Sequence, residues 1–311
     1  MLPEMEIPEV HTFEAVLERA GRKAAGLRPK AALIVPCEID DLKAFVRAWH
    51  DRLIEPVFIG DKDRLIKTAA EHHIGLGEPR FEDVKQPDEA VTAAARMAKA
   101  GETDLIAMGQ VPVARMLALL FASDQGFRLP ARTVSHVAVL KPEKYRKLLL
   151  LTDSAVVVQP DLKKKVDLIK NLVFVSERIG IAGPRVAVVG AVEVIYPQMP
   201  ATVEAAVLAK MGERGQIKGA RVDGPLSFDV AVDMAAAYAK GIKDSPVAGQ
   251  ADALVAPNIE VANGVYNAMT LYGRCQIGGV IVGGRVPLAV NARADSEAAR
   301  YNSIVLSVLA C

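Results

Sequence analysis

No charge of one sign dominates this chain: 38 lysines and arginines face 37 aspartates and glutamates. A global attraction to nucleic acid or to an anionic membrane is thereby excluded, and any basic site must be local. Long hydrophobic runs are missing too. The longest, 181–195, is broken by Pro184, Arg185 and Glu193, and no run approaches the ~20 apolar residues of a membrane span. The first six residues, Met1-Leu2-Pro3-Glu4-Met5-Glu6, are acidic without an apolar core, which argues against a secretory signal. Cysteines are few and odd in number: Cys37, Cys275 and Cys311. That scatter argues against a disulfide framework and a zinc site, and places the protein in a reducing cytoplasm. Cys37 and Cys275 read as small buried apolar residues.

Several catalytic signatures are also absent. No Gly-x-Gly-x-x-Gly opens a helix after a strand, and no Gly-x-x-x-x-Gly-Lys-Ser/Thr occurs. The Gly-x-Ser-x-Gly of an α/β-hydrolase elbow is missing as well. Gly283-Gly284-Arg285 reads as a tight turn between strands, and His72-His73 as a surface pair with no third metal ligand.

What remains is an ordinary globular composition, 51% apolar and 24% charged over 311 residues, enough for one large or two medium domains. Short β-branched runs alternate with Ala-rich helical patterns. Strands are expected at 31–35, 56–60, 104–108, 185–189, 220–222, 253–256, 278–282 and 287–290, with 134–140 and 147–151 as a hairpin. Helices are expected at 40–54, 61–72, 87–100, 112–123, 162–179, 201–211, 228–240, 263–272 and 296–309. This alternation predicts an α/β fold with βαβ units and a parallel sheet, helices covering both faces. The polar run 141–147 marks a domain boundary. Asp161 reads as the cap of the helix that follows, and Lys163-Lys164-Lys165 as a solvated face.

Chemistry-bearing residues collect where apolar strands end. The stretches are 222–226 with Asp223 and Gly224, 257–264 with Asn263, and 291–296 with Arg293 and Asp295. Ligands in open α/β sheets bind beyond the carboxyl ends of the strands. Arg293 is the best single anion ligand, because its planar fork holds two phosphate oxygens at once; a surface ion pair with Asp295 or Glu297 is the alternative. Asn263-Gly264 could cap a helix and present its N–H groups to an anion. His136 lies within an apolar strand, either as a core histidine or as a ligand contact, with Ser135 beside it. Asp153, after 148–151, is either a turn cap or a ligand group.

Together these residues resemble the phosphate acetyltransferase and phosphate butyryltransferase family, the butyryl branch above all. The resemblance runs from about residue 30 onward. It rests on Ser135-His136-Val137, Leu151-Thr152-Asp153-Ser154-Ala155-Val156, Gln159-Pro160-Asp161-Leu162, Ala191-Val192-Glu193-Val194, Pro197-Gln198-Met199-Pro200-Ala201-Thr202, Val222-Asp223-Gly224-Pro225-Leu226, Asn263 and Arg293-Ala294-Asp295-Ser296. It implies a two-domain αβα sandwich similar to the isocitrate dehydrogenase architecture. Residues 1–143 with 291–311 would form one domain and 144–290 the other, with the active site in the cleft between them. It further implies acyl transfer between coenzyme A and inorganic phosphate in a cytoplasmic homodimer or higher homo-oligomer. Coenzyme A would be a substrate, with no bound cofactor and no metal. Arg293 would hold phosphate, Asp295 would act as base, and Asn263 would orient the substrate, while Ser135, His136, Asp153, Glu193, Asp223 and Gly224 line the cleft.

The chain departs from the family pattern at Ala292, where a serine is usual, and at Asn267 and Ala114. A homologue that binds coenzyme A or an acyl phosphate without turnover is the second expectation. A dehydrogenase of similar architecture is the third, weakened by the absent glycine fingerprint.

Overall fold

Local signals account for many of the elements in the computed structural model, which describes residues 10–35, 38–122, 126–129 and 132–311. The N-terminal hexapeptide, Cys37 and the end of the helix expected at 112–123 lie outside the described residues. Helices α1 to α4 span Phe13–Gly26, Ile39–His50, Lys62–Glu71 and Pro87–Ala100, and α5 to α8 span Val113–Leu120, Leu162–Ile179, Pro200–Glu213 and Phe228–Val232. Met234–Ala239, Ile259–Leu271 and Glu297–Ala310 are α9 to α11. Strands β1 to β4 are Lys30–Ile34, Glu55–Gly60, Arg80–Asp83 and Leu105–Met108, followed by β5 Ser135–Lys141 and β6 Leu149–Thr152. The remaining strands, β7 to β11, are Arg185–Val189, Arg221–Leu226, Ala253–Val255, Gln276–Val282 and Leu288–Ala289.

α4 and α6 match their expected bounds because both ends are signalled. α4 opens with Pro87 and acidic Asp88 and Glu89, and closes at Gly101 with φ 72°. α6 is capped by the Asp161 carboxylate, which accepts from the Lys164 N–H at 2.7 Å, and ends at Gly180 with φ 106°. Two expectations fail nearby. Lys165 is not solvated: it is buried against α7 and ion-paired with Glu204. Asn263 caps nothing, because Asn258 stops the extended chain first, accepting from the Val261 N–H at 3.0 Å. Asn263 therefore sits inside α10.

Among the described residues one eleven-stranded sheet forms, in the order β3-β2-β1-β4-β11-β10-β5-β6-β9-β7-β8. β3, β2, β1, β4 and β11 run parallel to one another, as do β6, β9, β7 and β8. Between them β10 pairs antiparallel with β11 and β5, and β5 with β6 as the expected hairpin. Each antiparallel pairing reverses direction, so the two parallel blocks point opposite ways. Their carboxyl ends lie on opposite edges of the sheet, and the strand-end residues do not all converge on one edge as a uniform parallel sheet would require. Asp223 and Gly224 also lie within β8, which continues to Leu226.

Packing differs between the two faces. On one, a single apolar cluster runs across the whole sheet and includes residues of α1, α2, α6 and α11. On the other there are two: one beneath α4 and α5, the other beneath α8, α9 and α10. The division falls over β5 and β10. Ile281, opposite His136, belongs to the first of these clusters, and Ala138, opposite Gly279, to the second. Gly279 has no room for a side chain. A Cβ there would lie 2.5 Å from His136 Nε2 and 3.0 Å from the Val290 carbonyl oxygen. Gly279→Ala should therefore cost about 1–3 kcal/mol of stability, read by urea denaturation; an unchanged midpoint would show that this floor is not close-packed.

Candidate active site

Three groups of polar side chains flank or floor the divided face. The first is on the loop after β11. Asp295, 5% exposed, takes the Tyr266 hydroxyl at 2.9 Å, the Ala292 N–H at 2.7 Å and the Asn291 amide at 3.4 Å, all on Oδ2. Oδ1 has no donor among the described residues. Burial, then the Asp295 charge, pushes the Tyr266 phenol far up, so it remains a donor. Arg293 is exposed, and its guanidinium has no partner among the described residues. The ion pair to Asp295 or Glu297 does not form, because Asp295 is already turned inward to Tyr266 and Ala292.

The second group surrounds Asp153 at the end of β6. Its Oδ1 accepts from the Ala155 and Val156 N–H groups at 2.9 and 2.8 Å, and Oδ2 from the His136 N–H at 2.9 Å. Burial raises the Asp153 pKa against the pull of those donors. His136 Nδ1 lies 3.0 Å from Ser154 Oγ, and burial pushes its pKa down to about 4. The imidazole is thus neutral near pH 7. Asn263 reaches this group from α10, donating to the Ser154 carbonyl at 3.3 Å while its own oxygen accepts from Asn267 at 2.8 Å. Asn263 and Tyr266 lie on one helix, so α10 ties the Asp153 group to the Asp295 group.

Ser135 is adjacent in sequence yet belongs elsewhere. Alternation along β5 turns it to the other face, where its fully buried hydroxyl accepts from Asn171 of α6 at 2.7 Å. Glu193 and Asp223 form a third group, after β7 and within β8. Glu193 accepts from Ser227 and from Lys240, the latter at 3.2 Å. Burial would raise its pKa, but these donors outweigh it and hold the carboxyl low. Asp223 takes its neighbour Gly224 N–H at 2.8 Å and the Ser245 hydroxyl. Since β9 separates β6 from β7, and β8 lies beyond β7, this group lies about 10–14 Å to the side of Asp153. Gly224 packs directly on β7, where a Cβ would meet the Val188 carbonyl oxygen at 2.7 Å.

Sequence reasoning missed Tyr266 as the donor to Asp295 and missed Ser154 beside His136. The i, i+3 spacing of Asn263 and Tyr266 was the available signal. Missed too was Arg300 in the first turn of α11, whose charged partner, Asp41, is 259 positions away in sequence. Burial raises the Cys275 pKa and pushes the Cys311 pKa up to about 12. Among the described residues no helix is long and apolar enough to cross a membrane.

Comparison with known proteins gives the chain's family. A family model described as phosphate acetyl/butaryl transferase matches residues 69–308. A phosphate butyryltransferase of Clostridium acetobutylicum is 39% identical over 282 residues, covering 90% of this chain and 92% of its own. A phosphate acetyltransferase of Thermotoga maritima is 36% identical over 293 residues, covering 94% and 99%. Among solved structures, a branched-chain phosphotransacylase from Enterococcus faecalis V583 superposes with a TM-score of 0.77 at 23% identity, covering 90% of this chain and 98% of that one.

The His136 environment sets a pH signature. Its folded pKa lies below the ordinary 6.5, so between about pH 6.5 and 4 the unfolded chain binds the extra proton, and stability falls as the pH drops. Asp41 and Asp153, with raised pKa values, push the other way, so the comparison must be between variants. From pH 6.5 to 5, His136→Gln should lose about 2 kcal/mol less stability than the parent. Parallel losses in urea titrations would contradict a neutral, buried imidazole.

Proposed function

Because the chain belongs to the phosphate acetyl/butaryl transferase family, we propose that it moves a short acyl group between coenzyme A and inorganic phosphate. The observation that carries the reading is the Arg293 guanidinium, without a partner among the described residues and exposed on the same loop as the buried Asp295 carboxylate. In the acyl-phosphate direction a phosphate oxygen attacks the thioester carbonyl, the C–S bond breaks, and the sulfur gains a proton. In reverse the thiol must lose that proton before it attacks. Arg293 grips two phosphate oxygens and offsets charge as the tetrahedral intermediate forms.

Asp295 is the group for the proton, through the Oδ1 that no donor among the described residues occupies. Tyr266 holds Oδ2 and orients the carboxylate. Asn263, engaged by Ser154 and Asn267, orients the site from α10. The groove between the two apolar clusters receives the coenzyme, with neutral His136 on its floor. Glu193, Asp223 and Gly224 line its far side, and Ser135 supports β5 from behind. Coenzyme A is a substrate here, and the chemistry calls for neither metal nor resident cofactor. The two lobes beside the groove correspond broadly to 1–143 with 291–311 and to 144–290, with the central strands exchanged between them: Ala138 packs in the second cluster, and Ile281 and Leu288 in the first. A cytoplasmic homodimer completes the reading, supported by exposed Val194, Ile195, Tyr196, Val203 and Val207 near the start of α7.

Ala292 and Asn267 favour a second reading, ligand binding without turnover, since both stand where the family carries other polar groups. One assay separates the two. Phosphate-dependent thiol release should occur with at least one of acetyl-, propionyl-, butyryl- and isobutyryl-coenzyme A. Arg293→Ala should lower kcat/KM about 10²–10³-fold, and Ala292→Ser should change it little. Silence across the panel, with coenzyme A still binding in calorimetry, would favour the second reading. A large gain from Ala292→Ser would mean that the hydroxyl's loss had disabled the site.

A further inference from the structure

Arg300 spends each of its three guanidinium nitrogens on a different acceptor. Nε donates to the Asp295 carbonyl at 3.3 Å, Nη2 to the Arg293 carbonyl at 3.2 Å, and Nη1 to the Asp41 carboxylate. The first two acceptors are the backbone of the two residues assigned to phosphate and proton. The third stands in the first turn of α2, 259 positions away in sequence, and is 5% exposed. Asp41 Oδ2 has no partner among the described residues, and Asp41 borders a small cavity of about 10 Å³ lined also by Asn291 and Arg300. That void adjoins the carboxyl ends of β1, β4 and β11.

A buried ion pair is weak evidence for stability, because desolvation offsets its attraction. Its geometry here does something more specific. The loop 291–296 lacks regular secondary structure, and α11 alone fixes only its far end. Arg300 ties two of its carbonyls to α2, so that loop and helix move as one body.

We propose that Arg300, anchored by Asp41, is a positioning residue that sets the direction of the Arg293 side chain for phosphate. This rests on Arg293 being the phosphate ligand. Lysine at 300 could still pair with Asp41, but one ammonium cannot span a carboxylate and two carbonyls as a planar fork does.

The test is steady-state kinetics of phosphate-dependent thiol release with whichever acyl-coenzyme A the protein turns over. Arg300→Lys should raise the phosphate KM about tenfold, as expected for two lost hydrogen bonds, and leave the acyl-coenzyme A KM and the melting temperature near those of the parent. In an Arg293→Lys background, which already lacks the fork, Arg300→Lys should add little. The double variant Asp41→Asn/Arg300→Met removes both buried charges together and should reproduce the phosphate defect. It decides the matter if Arg300→Lys proves unstable. An unchanged phosphate KM in the folded variants overturns the proposal. So does a penalty that multiplies fully with Arg293→Lys, or a rise in both KM values together. If Arg293→Lys itself keeps the parent's phosphate KM, the assignment of Arg293 has failed instead.

Discussion

The reversal of strand direction at the middle of the sheet is the constraint from which the rest follows. Parallel neighbours require crossover connections, which lay helices on the faces, whereas antiparallel neighbours can be joined by short turns. The β5–β6 hairpin and the β10–β11 turn therefore bring no crossover helix of their own. One face is still closed by α6 and α11, which arrive from both sides and pack in a single core. The other is left with two separate clusters and a seam between them. The seam is floored by small or neutral groups, with Gly279 against a histidine that burial keeps uncharged. On the proposed reading such a floor suits a bulky anionic coenzyme, since it carries no fixed charge of its own.

Charge is concentrated instead at the rim, where the order of satisfaction matters. Asp295 could have paired with Arg293, two residues away, and cancelled it. Tyr266 and the Ala292 N–H engage the carboxylate first, and Arg300 turns the intervening backbone. The arginine is left with its full charge beside a carboxylate that is already spoken for. An anion approaching the loop meets a donor fork and not a neutral ion pair.

Much of the fold was legible because its signals are local. β7 and α6 coincide with their expected spans, since β-branched runs and Asp/Gly caps act over a few residues. The omissions have equally local causes. α1 carries Gly21 and many charges that obscure its buried stripe of Phe13, Val16, Ala20 and Ala24. β3, Arg80–Asp83, is a mostly polar edge strand that reads as loop. The helix expected over 228–240 is split at Asp233, whose carboxylate caps α9 by accepting from the Ala235 N–H. At the candidate site, Arg293 was singled out by its chemistry and its place after an apolar strand. Its support was not, because Asp41 and Arg300 meet only through the tertiary fold. Nor could periodicity show that Ser135 and His136, adjacent in sequence, serve opposite faces of the sheet.

The departures from the family pattern can be weighed by what each group contributes. On the proposed reading, the missing hydroxyl at Ala292 forgoes at most one hydrogen bond to phosphate, worth about 1 kcal/mol when made in competition with water. The Ala292 backbone still donates to Asp295 at 2.7 Å, so the loop's geometry does not depend on the lost side chain. Asn267 donates to Asn263 at 2.8 Å, which holds that amide in place even without a cation at this position. Removing the arginine fork would cost far more, on the order of 3 kcal/mol or above. On the proposed reading the site thus keeps the contribution of larger size, the arginine fork, and the Arg300 contacts to the Arg293 and Asp295 carbonyls hold the loop that carries it.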